Sequence, residues 1–329
     1  MGATSSSETT GASVVSRRGV GMPPVNTTSG PRRTQSEGCP PFHGGSGLGS
    51  MTVTQRTVAD FLTPEGFSQP SVSAVLREGS VVTEAGRYAV QAFGSRGARR
   101  RTPYGSRPAR MTEPVLLVPG FLAGDSSLGP MSRSLRHEGF RTYRADIRAN
   151  VGCTLAAAAQ LEERLEEITQ RRGSRVRIVG HSLGGMLARG VAARRPDLVA
   201  GIVTMGSPML APGAHHRSLT RSVDLLVRLN RAGMRNLMAE DCVAGHCAQE
   251  SFAQARAELP PGVDFTAIYS RRDGIVDWRA CIDPVARAVE VRSSHVGMAF
   301  DPTVIAAVSA ALRPVVVASV VEVERGDIA

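Results

Sequence analysis

The chain has 329 residues, of which 42% are hydrophobic, so it can bury a sizeable core in one large domain or two small ones. The formal net charge of +10 is due entirely to arginine, because the sequence contains no lysine. Residues 1–110 carry 13 arginines against 6 acidic residues, whereas residues 111–329 carry 26 against 23. The folded part is therefore close to neutral, and we expect no nucleic-acid partner.

Targeting and membrane-spanning segments are not recognisable in the sequence. No apolar run approaches the roughly 18–20 residues that cross a bilayer, so no transmembrane segment is expected. The first thirty residues are rich in Ser, Thr and Gly and lack the continuous apolar core of a secretory signal. These features predict a cytoplasmic location, with export through an unrecognised signal in the first fifty residues as the alternative.

Composition divides the chain into four parts. Residues 1–50 are dense in Gly, Ser, Thr and Pro, which predicts a disordered leader. Residues 51–110 read as an N-terminal extension followed by a linker that begins near residue 94. An α/β domain is predicted over residues 111–313, and residues 314–329 form a C-terminal tail.

The predicted elements of the domain alternate between strand and helix. In chain order the strands are PVLLVPG, RTYRADI, RVRIVG, LVAGIVTMGSP, VDFTAIYS and AVEVRSS, and the helices between them include SLGPMSRSLRHEGF, TLAAAAQLEERLEEITQRRG and GMLARGVAARR. Such alternation predicts a mostly parallel, doubly wound sheet with helices on both faces. Residues 210–262 interrupt it, and we expect a helical cap there; an ordinary helical excursion packed on the domain is the alternative.

The third strand meets the following helix at Gly180-His181-Ser182-Leu183-Gly184. A serine at a sharp strand-to-helix turn adopts strained backbone angles, and small flanking residues relieve the clashes that such a turn creates. The turn places the hydroxyl at the top of the sheet, beside the N-terminus of the next helix. We therefore predict Ser182 as a nucleophile, with His181 pointing away from it as packing support.

A serine nucleophile needs a base, and the base needs an acid that orients it. Asp273 directly follows the fifth strand and His295 follows the sixth, so both lie at the sheet edge that carries Ser182. Asp277 also follows the fifth strand, but four residues further along. The spacing favours Asp273 as the acid and His295 as the base.

The loop after the first strand, VPGFLAGDS, is expected to supply part of an oxyanion hole. The backbone N–H of Phe121 would pair there with that of Leu183, and only the amides of the two residues are needed. In the same loop, Asp125 is predicted to cap the following helix rather than to take part in the chemistry.

The five cysteines are an odd number, so they cannot all pair within one chain. Cys242 and Cys247 bracket four residues and would close a small loop in an oxidising compartment. A zinc site would need a further close pair or a clear histidine spacing, and only His246 lies beside these cysteines. No metal and no cofactor are expected.

These motifs resemble the α/β-hydrolase superfamily, within it the bacterial lipases and esterases. The segments that carry the resemblance are LLVPGF, VGHSLGG, TMGSP, SRRDGIVDW and SSHVGM, between residues 114 and 312. The resemblance implies a serine hydrolase that cleaves carboxylic esters, with a small ester or lipid as substrate. The Leu, Val and Met residues of the insertion, together with Met209, favour an apolar acyl chain. An acyltransferase or thioesterase would use the same residues, so those activities remain alternatives.

Overall fold

The computed structural model describes residues 60–99 and 113–313, both within one compact unit of the chain. The predicted leader, residues 1–50, and the predicted tail, residues 314–329, lie outside the described residues. Within the described ranges no helix is both long and apolar enough to cross a membrane.

The described strands form a single sheet in the order β2-β1-β3-β4-β5-β6, and every neighbouring pair is parallel. The strands are β1 (Pro114–Val118), β2 (Arg141–Arg144), β3 (Val176–His181), β4 (Val199–Met205), β5 (Asp264–Tyr269) and β6 (Arg287–Glu290). The chain first moves outward from β1 to β2 and then returns to β3 on the other side of β1. In open α/β sheets such a reversal marks the crevice where ligands bind.

The described residues include helices that cover both faces of this sheet and helices that lie elsewhere. They are α1 (Val72–Leu76), α2 (Val81–Arg99), α3 (Gly129–His137), α4 (Thr154–Arg172), α5 (Leu183–Arg194), α6 (Arg217–Arg231), α7 (Asp241–Ala244), α8 (His246–Arg256) and α9 (Pro302–Leu312). Short 3₁₀ helices span Asp60–Leu62, Arg77–Ser80, Asp125–Leu128, Trp278–Cys281 and Val296–Ala299.

Two apolar cores separate the sheet from its helices. Leu116 and Ile178 face the first core, together with the apolar sides of α4 and α5. Val115 and Val179, their neighbours along the strands, face the second core against α3 and α9. Since successive strand residues point to opposite faces, strands covered on both faces are apolar at most positions. The predicted doubly wound α/β fold is confirmed, and its sheet is parallel throughout.

The helices between β4 and β5 lie in two different places. The last of them, α8, packs on α5, with the Gln254 side chain close to Gly190, and Arg189 donates a 2.7 Å hydrogen bond to the Ala257 carbonyl just beyond α8. Residues of α6 and α7 instead line a cleft above the sheet. The insertion therefore combines a cap with a helix packed on the domain.

Helix α2 extends further than the composition suggests, since it ends at Arg99 although a linker was predicted to begin near residue 94. A helix already nucleated over the preceding turns gains one hydrogen bond with each added residue. That gain offsets the roughly 1 kcal/mol that a glycine costs relative to alanine, so Gly94 and Gly97 do not stop the helix.

Candidate active site

Ser182 lies at the turn between β3 and α5, with φ 51° and ψ −123°. A positive φ is unfavourable for a residue that carries a Cβ and persists only where the surroundings impose it. Here the Ser182 amide donates a 2.9 Å hydrogen bond to the Met205 carbonyl at the end of β4, which fixes the turn to the sheet. The side chain is buried, with 8% of the residue exposed.

Glycines make this turn sterically possible. A Cβ on Gly180 would lie 2.4 Å from Gly185 Cα, and one on Gly184 would lie 2.3 Å from the Val118 carbonyl oxygen. Both contacts are with backbone, which cannot swing aside as a side chain can. The glycines around Ser182 therefore let β3, α5 and the end of β1 approach one another.

Replacing Gly184 by alanine is expected to lower the free energy of unfolding by about 1–3 kcal/mol, the usual cost of overpacking a tight site. The cause is the clash with the Val118 carbonyl. Urea unfolding followed by circular dichroism measures the change. Gly86→Ala in α2 is the matched control, because nothing lies within 4 Å of its added Cβ and its stability should stay level or rise. Equal stability of both variants would contradict the prediction.

Asp273 and His295 are joined by a direct hydrogen bond, with 2.6 Å between His295 Nδ1 and Asp273 Oδ2. The other carboxylate oxygen, Asp273 Oδ1, accepts the backbone N–H groups of Ile275 and Val276, each at 2.9 Å. Both members of the pair are buried. The carboxylate is therefore held in place by its own loop, and it fixes the orientation of the imidazole.

The pKa of His295 lies above its ordinary value of 6.5. Burial acts to lower this pKa, but the negative charge and hydrogen bond of Asp273, together with the charge of Glu78, outweigh burial. Such an imidazole takes up a proton readily, as a general base must.

His181 supports His295 rather than competing with it. Its Nε2 lies 3.0 Å from the His295 carbonyl oxygen, and the two rings are 5.0 Å apart. Burial and the neighbouring His295 lower the pKa of His181 to about 4. At neutral pH His181 is therefore uncharged, and it donates the Nε2 proton to that carbonyl.

Asp277, the alternative acid, makes other contacts. Its carboxylate binds the Arg279 guanidinium, with 2.7 Å between Oδ2 and Nη2, and it accepts the Ser68 backbone N–H at 3.2 Å. The capping role predicted for Asp125 is wrong: Asp125 lies inside a short 3₁₀ helix whose N-cap is Gly124, and neither that helix nor α3 has a side-chain cap.

The loop after β1 brings Phe121 to the cleft that contains Ser182, and the start of α5 brings Leu183 there. Leu183 is the first residue of α5, so its N–H has no acceptor within the helix. Asn150 holds the loop: its side chain donates to the Pro119 carbonyl at 3.0 Å, and its carbonyl accepts the Leu122 N–H at 3.0 Å. The sequence did not indicate this role of Asn150, because its hydrogen-bond partners lie about thirty residues away along the chain.

An apolar cleft of about 130 Å³ opens beside Ser182. Its other walls come from the cap, from the β4–α6 loop, from the loop after β5 and from the N-terminal extension, and include Leu62, Pro208, Leu219, Val223, Met238 and Val276. The side chains are mostly aliphatic, so the cleft suits an apolar group of a ligand bound beside Ser182.

Three cysteines meet beneath the cap. The sulfur atoms of Cys153, Cys242 and Cys247 lie within 4.8 Å of one another, and all three residues are buried. Cys153 precedes α4, 89 residues before Cys242, so the sequence did not link it with the pair. Phe121 and Leu183 pack against the apolar cluster that contains these cysteines, so the cluster adjoins the predicted oxyanion loop.

Comparison with known proteins agrees with this architecture. Residues 113–251 match the family model for the alpha/beta hydrolase fold. The resemblance to the α/β-hydrolase superfamily, predicted from the motifs, is thereby confirmed. The described domain has the alpha/beta hydrolase fold.

Individual relatives are distant. The chain is 32% identical to a triacylglycerol lipase of Vibrio cholerae over 99 residues, which are 28% of this chain and 31% of that protein. The aligned part thus spans about a third of the curated relative. A mature lipase of Bacillus licheniformis is 15% identical over 62% of this chain and 92% of its own, with a TM-score of 0.47. A monoacylglycerol lipase of Paleococcus ferrophilus is 15% identical over 62% and 96%, with a TM-score of 0.42.

Proposed function

We propose that this protein is a serine hydrolase that cleaves carboxylic esters through an acyl-enzyme on Ser182. The observation that carries the proposal is the buried Asp273–His295 hydrogen bond of 2.6 Å, at the same sheet edge as a serine held at positive φ. The curated relative named as a triacylglycerol lipase adds support. The cytoplasmic location stays a prediction.

The mechanism begins with proton transfer. His295 Nε2 accepts the hydroxyl proton as Ser182 Oγ attacks the ester carbonyl, and Asp273 stabilises the imidazolium that forms. In the described residues no direct hydrogen bond joins Ser182 Oγ to His295, and such bonds often tighten only once substrate is bound. The Phe121 and Leu183 amides would bind the oxyanion.

The second half of the cycle reverses these roles. The imidazolium donates its proton to the departing alkoxide, which leaves as the alcohol and breaks the ester C–O bond. Water then enters, His295 takes a proton from it, and the resulting hydroxide attacks the acyl-enzyme. Collapse of the second tetrahedral intermediate releases the carboxylic acid and restores the Ser182 hydroxyl.

The aliphatic cleft favours esters with apolar acyl chains. Burying each methylene of the acyl chain in the cleft contributes about 0.8 kcal/mol, so kcat/KM should rise with chain length until the cleft is filled. Hydrolysis of p-nitrophenyl esters from acetate to palmitate, with the released acid quantified, tests both the reaction and the preference. Release of p-nitrophenol with transfer of the acyl group to an added alcohol would favour an acyltransferase instead.

Val223→Phe is expected to shorten the preferred acyl chain, because Val223 is a buried wall of the cleft. Loss of space for one or two methylenes should lower kcat/KM for the longer esters about 10- to 200-fold, with acetate little affected. Leu225→Phe on the same helix is the control, since Leu225 is 56% exposed. Parallel changes along the ester series in both variants would exclude this cleft as the acyl site.

A further inference from the structure

The segment before the α/β domain is in contact with both loops that carry the predicted acid and base. Glu78, between α1 and α2, accepts the His295 N–H at 2.9 Å and the Gly274 N–H at 2.8 Å through the same oxygen, Oε1. Its other oxygen, Oε2, accepts the Val296 N–H at 3.2 Å. One side chain therefore holds the backbone beside Asp273 and the backbone of His295.

Glu84, one and a half turns further along, continues this contact. Its Oε1 accepts the Ser294 N–H at 2.8 Å, and Oε2 bonds to the Ser294 hydroxyl at 2.5 Å. Only 1% of Glu84 is exposed. Arg87 then pairs with the fully buried Asp301 at 2.5 Å, at the start of α9.

The backbone fits this segment closely. A Cβ on Gly274 would lie 2.4 Å from the Ala74 carbonyl oxygen, and one on Gly297 would lie 1.7 Å from Glu84 Oε2. The loops therefore have glycine at two points where the segment touches them. A charged group that is removed from water needs hydrogen-bond partners to offset the free energy of desolvation. For the carboxylates of Glu78 and Glu84 those partners include backbone N–H groups of the His295 loop.

We propose that Glu78 is a positioning residue of the active site, which fixes the His295 backbone against the Asp273 loop and supplies negative charge close to the imidazole. The part concerning catalysis rests on the proposed ester hydrolysis. The part concerning the geometry and protonation of His295 is independent of it. The N-terminal extension thereby contributes a side chain that supports the candidate active site.

Several ionisable groups surround His295 besides Glu78. Asp273 faces it from the loop after β5, His181 from the end of β3, and Glu84 contacts the residue before it. Cys281, at the end of the Trp278–Cys281 turn, lies near Asp273; burial and the charges of Asp273 and Asp277 raise the pKa of its thiol well above the ordinary value. Of these groups, Asp273 and Glu78 raise the pKa of His295.

The test uses the full chain with Glu78→Gln, which keeps the shape of the side chain and removes its charge. The acidic limb of kcat/KM against pH should move to lower pH by roughly 0.5–1 unit, because losing a nearby negative charge makes the imidazole easier to deprotonate. We expect kcat to fall about tenfold with KM nearly unchanged, because the His295 imidazole would be held less firmly in its reactive orientation while substrate binding is retained. Glu65→Gln, an exposed glutamate of the same segment, is the control.

A readout without substrate separates this inference from the proposed function. The pKa of the His295 ring is measured by NMR titration, its signals being assigned by their absence from His295→Gln. A lower ring pKa in Glu78→Gln supports the inference even if the wild type hydrolyses no ester. An unchanged ring pKa together with an unchanged pH limb overturns it.

Glu78→Asp keeps the inference testable should Glu78→Gln fail to fold. This variant retains the charge but withdraws it by one methylene from the three N–H groups that it binds. We expect kcat to fall while the pH limb stays nearly in place. Wild-type kcat in a folded Glu78→Asp protein would overturn the positioning role.

Discussion

Ser182→Ala is expected to reduce kcat for p-nitrophenyl esters by on the order of 10⁴-fold or more, because a methyl group cannot form the acyl-enzyme. The rate that remains would come from binding and oxyanion stabilisation alone. The fold should persist, since alanine keeps the backbone N–H that bonds to the Met205 carbonyl. Circular dichroism and thermal unfolding of the purified variant check that point.

The matched control is Ser207→Ala. Ser207 is also buried and lies at the end of a central strand, but its hydroxyl faces the Met205 carbonyl at 3.4 Å. Its activity should stay within a few-fold of the wild type. A fluorophosphonate probe located by mass spectrometry adds a covalent readout, with the adduct expected on Ser182. Labelling elsewhere, or full activity in Ser182→Ala, would end the acyl-enzyme proposal.

Asp273→Asn is expected to lower kcat by about 10³- to 10⁴-fold with KM little changed. The asparagine amide would present an N–H to His295 Nδ1 instead of accepting one, so the ring would adopt the wrong tautomer. The charge that stabilises the imidazolium would also be lost. Removing the carboxylate also lowers the pKa of His295, because Asp273 raises that pKa in the wild type. Steady-state kinetics over pH 5–9 therefore measure both effects.

Asp277→Asn distinguishes this role from a general need for acidic residues in the loop. Asp277 is four residues away and is paired with Arg279, whose side chain is half-exposed. Its carboxylate binds Arg279 and the Ser68 N–H rather than His295, so kcat should change no more than about threefold. If the two variants were equally impaired, the assignment of Asp273 as the orienting acid would fail.

The predictable part of the fold came from local pattern. Fully apolar runs such as Val115–Val118 predicted strands buried on both faces, and glycines after α3 and α4 marked helix ends, with φ 97° at Gly139 and 65° at Gly173. These signals depend only on neighbouring residues. The end of α2 at Arg99 was missed because helix propagation over two glycines depends on the preceding turns.

The candidate site was predictable where its members follow strands of one parallel sheet. Ser182 follows β3 and Asp273 follows β5, and parallel strands bring their carboxyl ends to one edge whatever the loops do. His295 follows β6 for the same reason. The order of the motifs along the chain therefore carried three-dimensional information.

By itself the sequence determined the α/β class, the strained turn at Ser182 and the candidate acid and base, because backbone geometry and strand periodicity are local properties. Only the tertiary structure decided that Glu78 binds the His295 loop, that Asn150 holds the predicted oxyanion loop, and that Cys153 lies beside Cys242 and Cys247. Each of these contacts links residues about 30 to more than 200 positions apart. The hydrophobic periodicity of a sequence does not indicate such pairs, because they come together only when complete helices, strands and loops pack against one another.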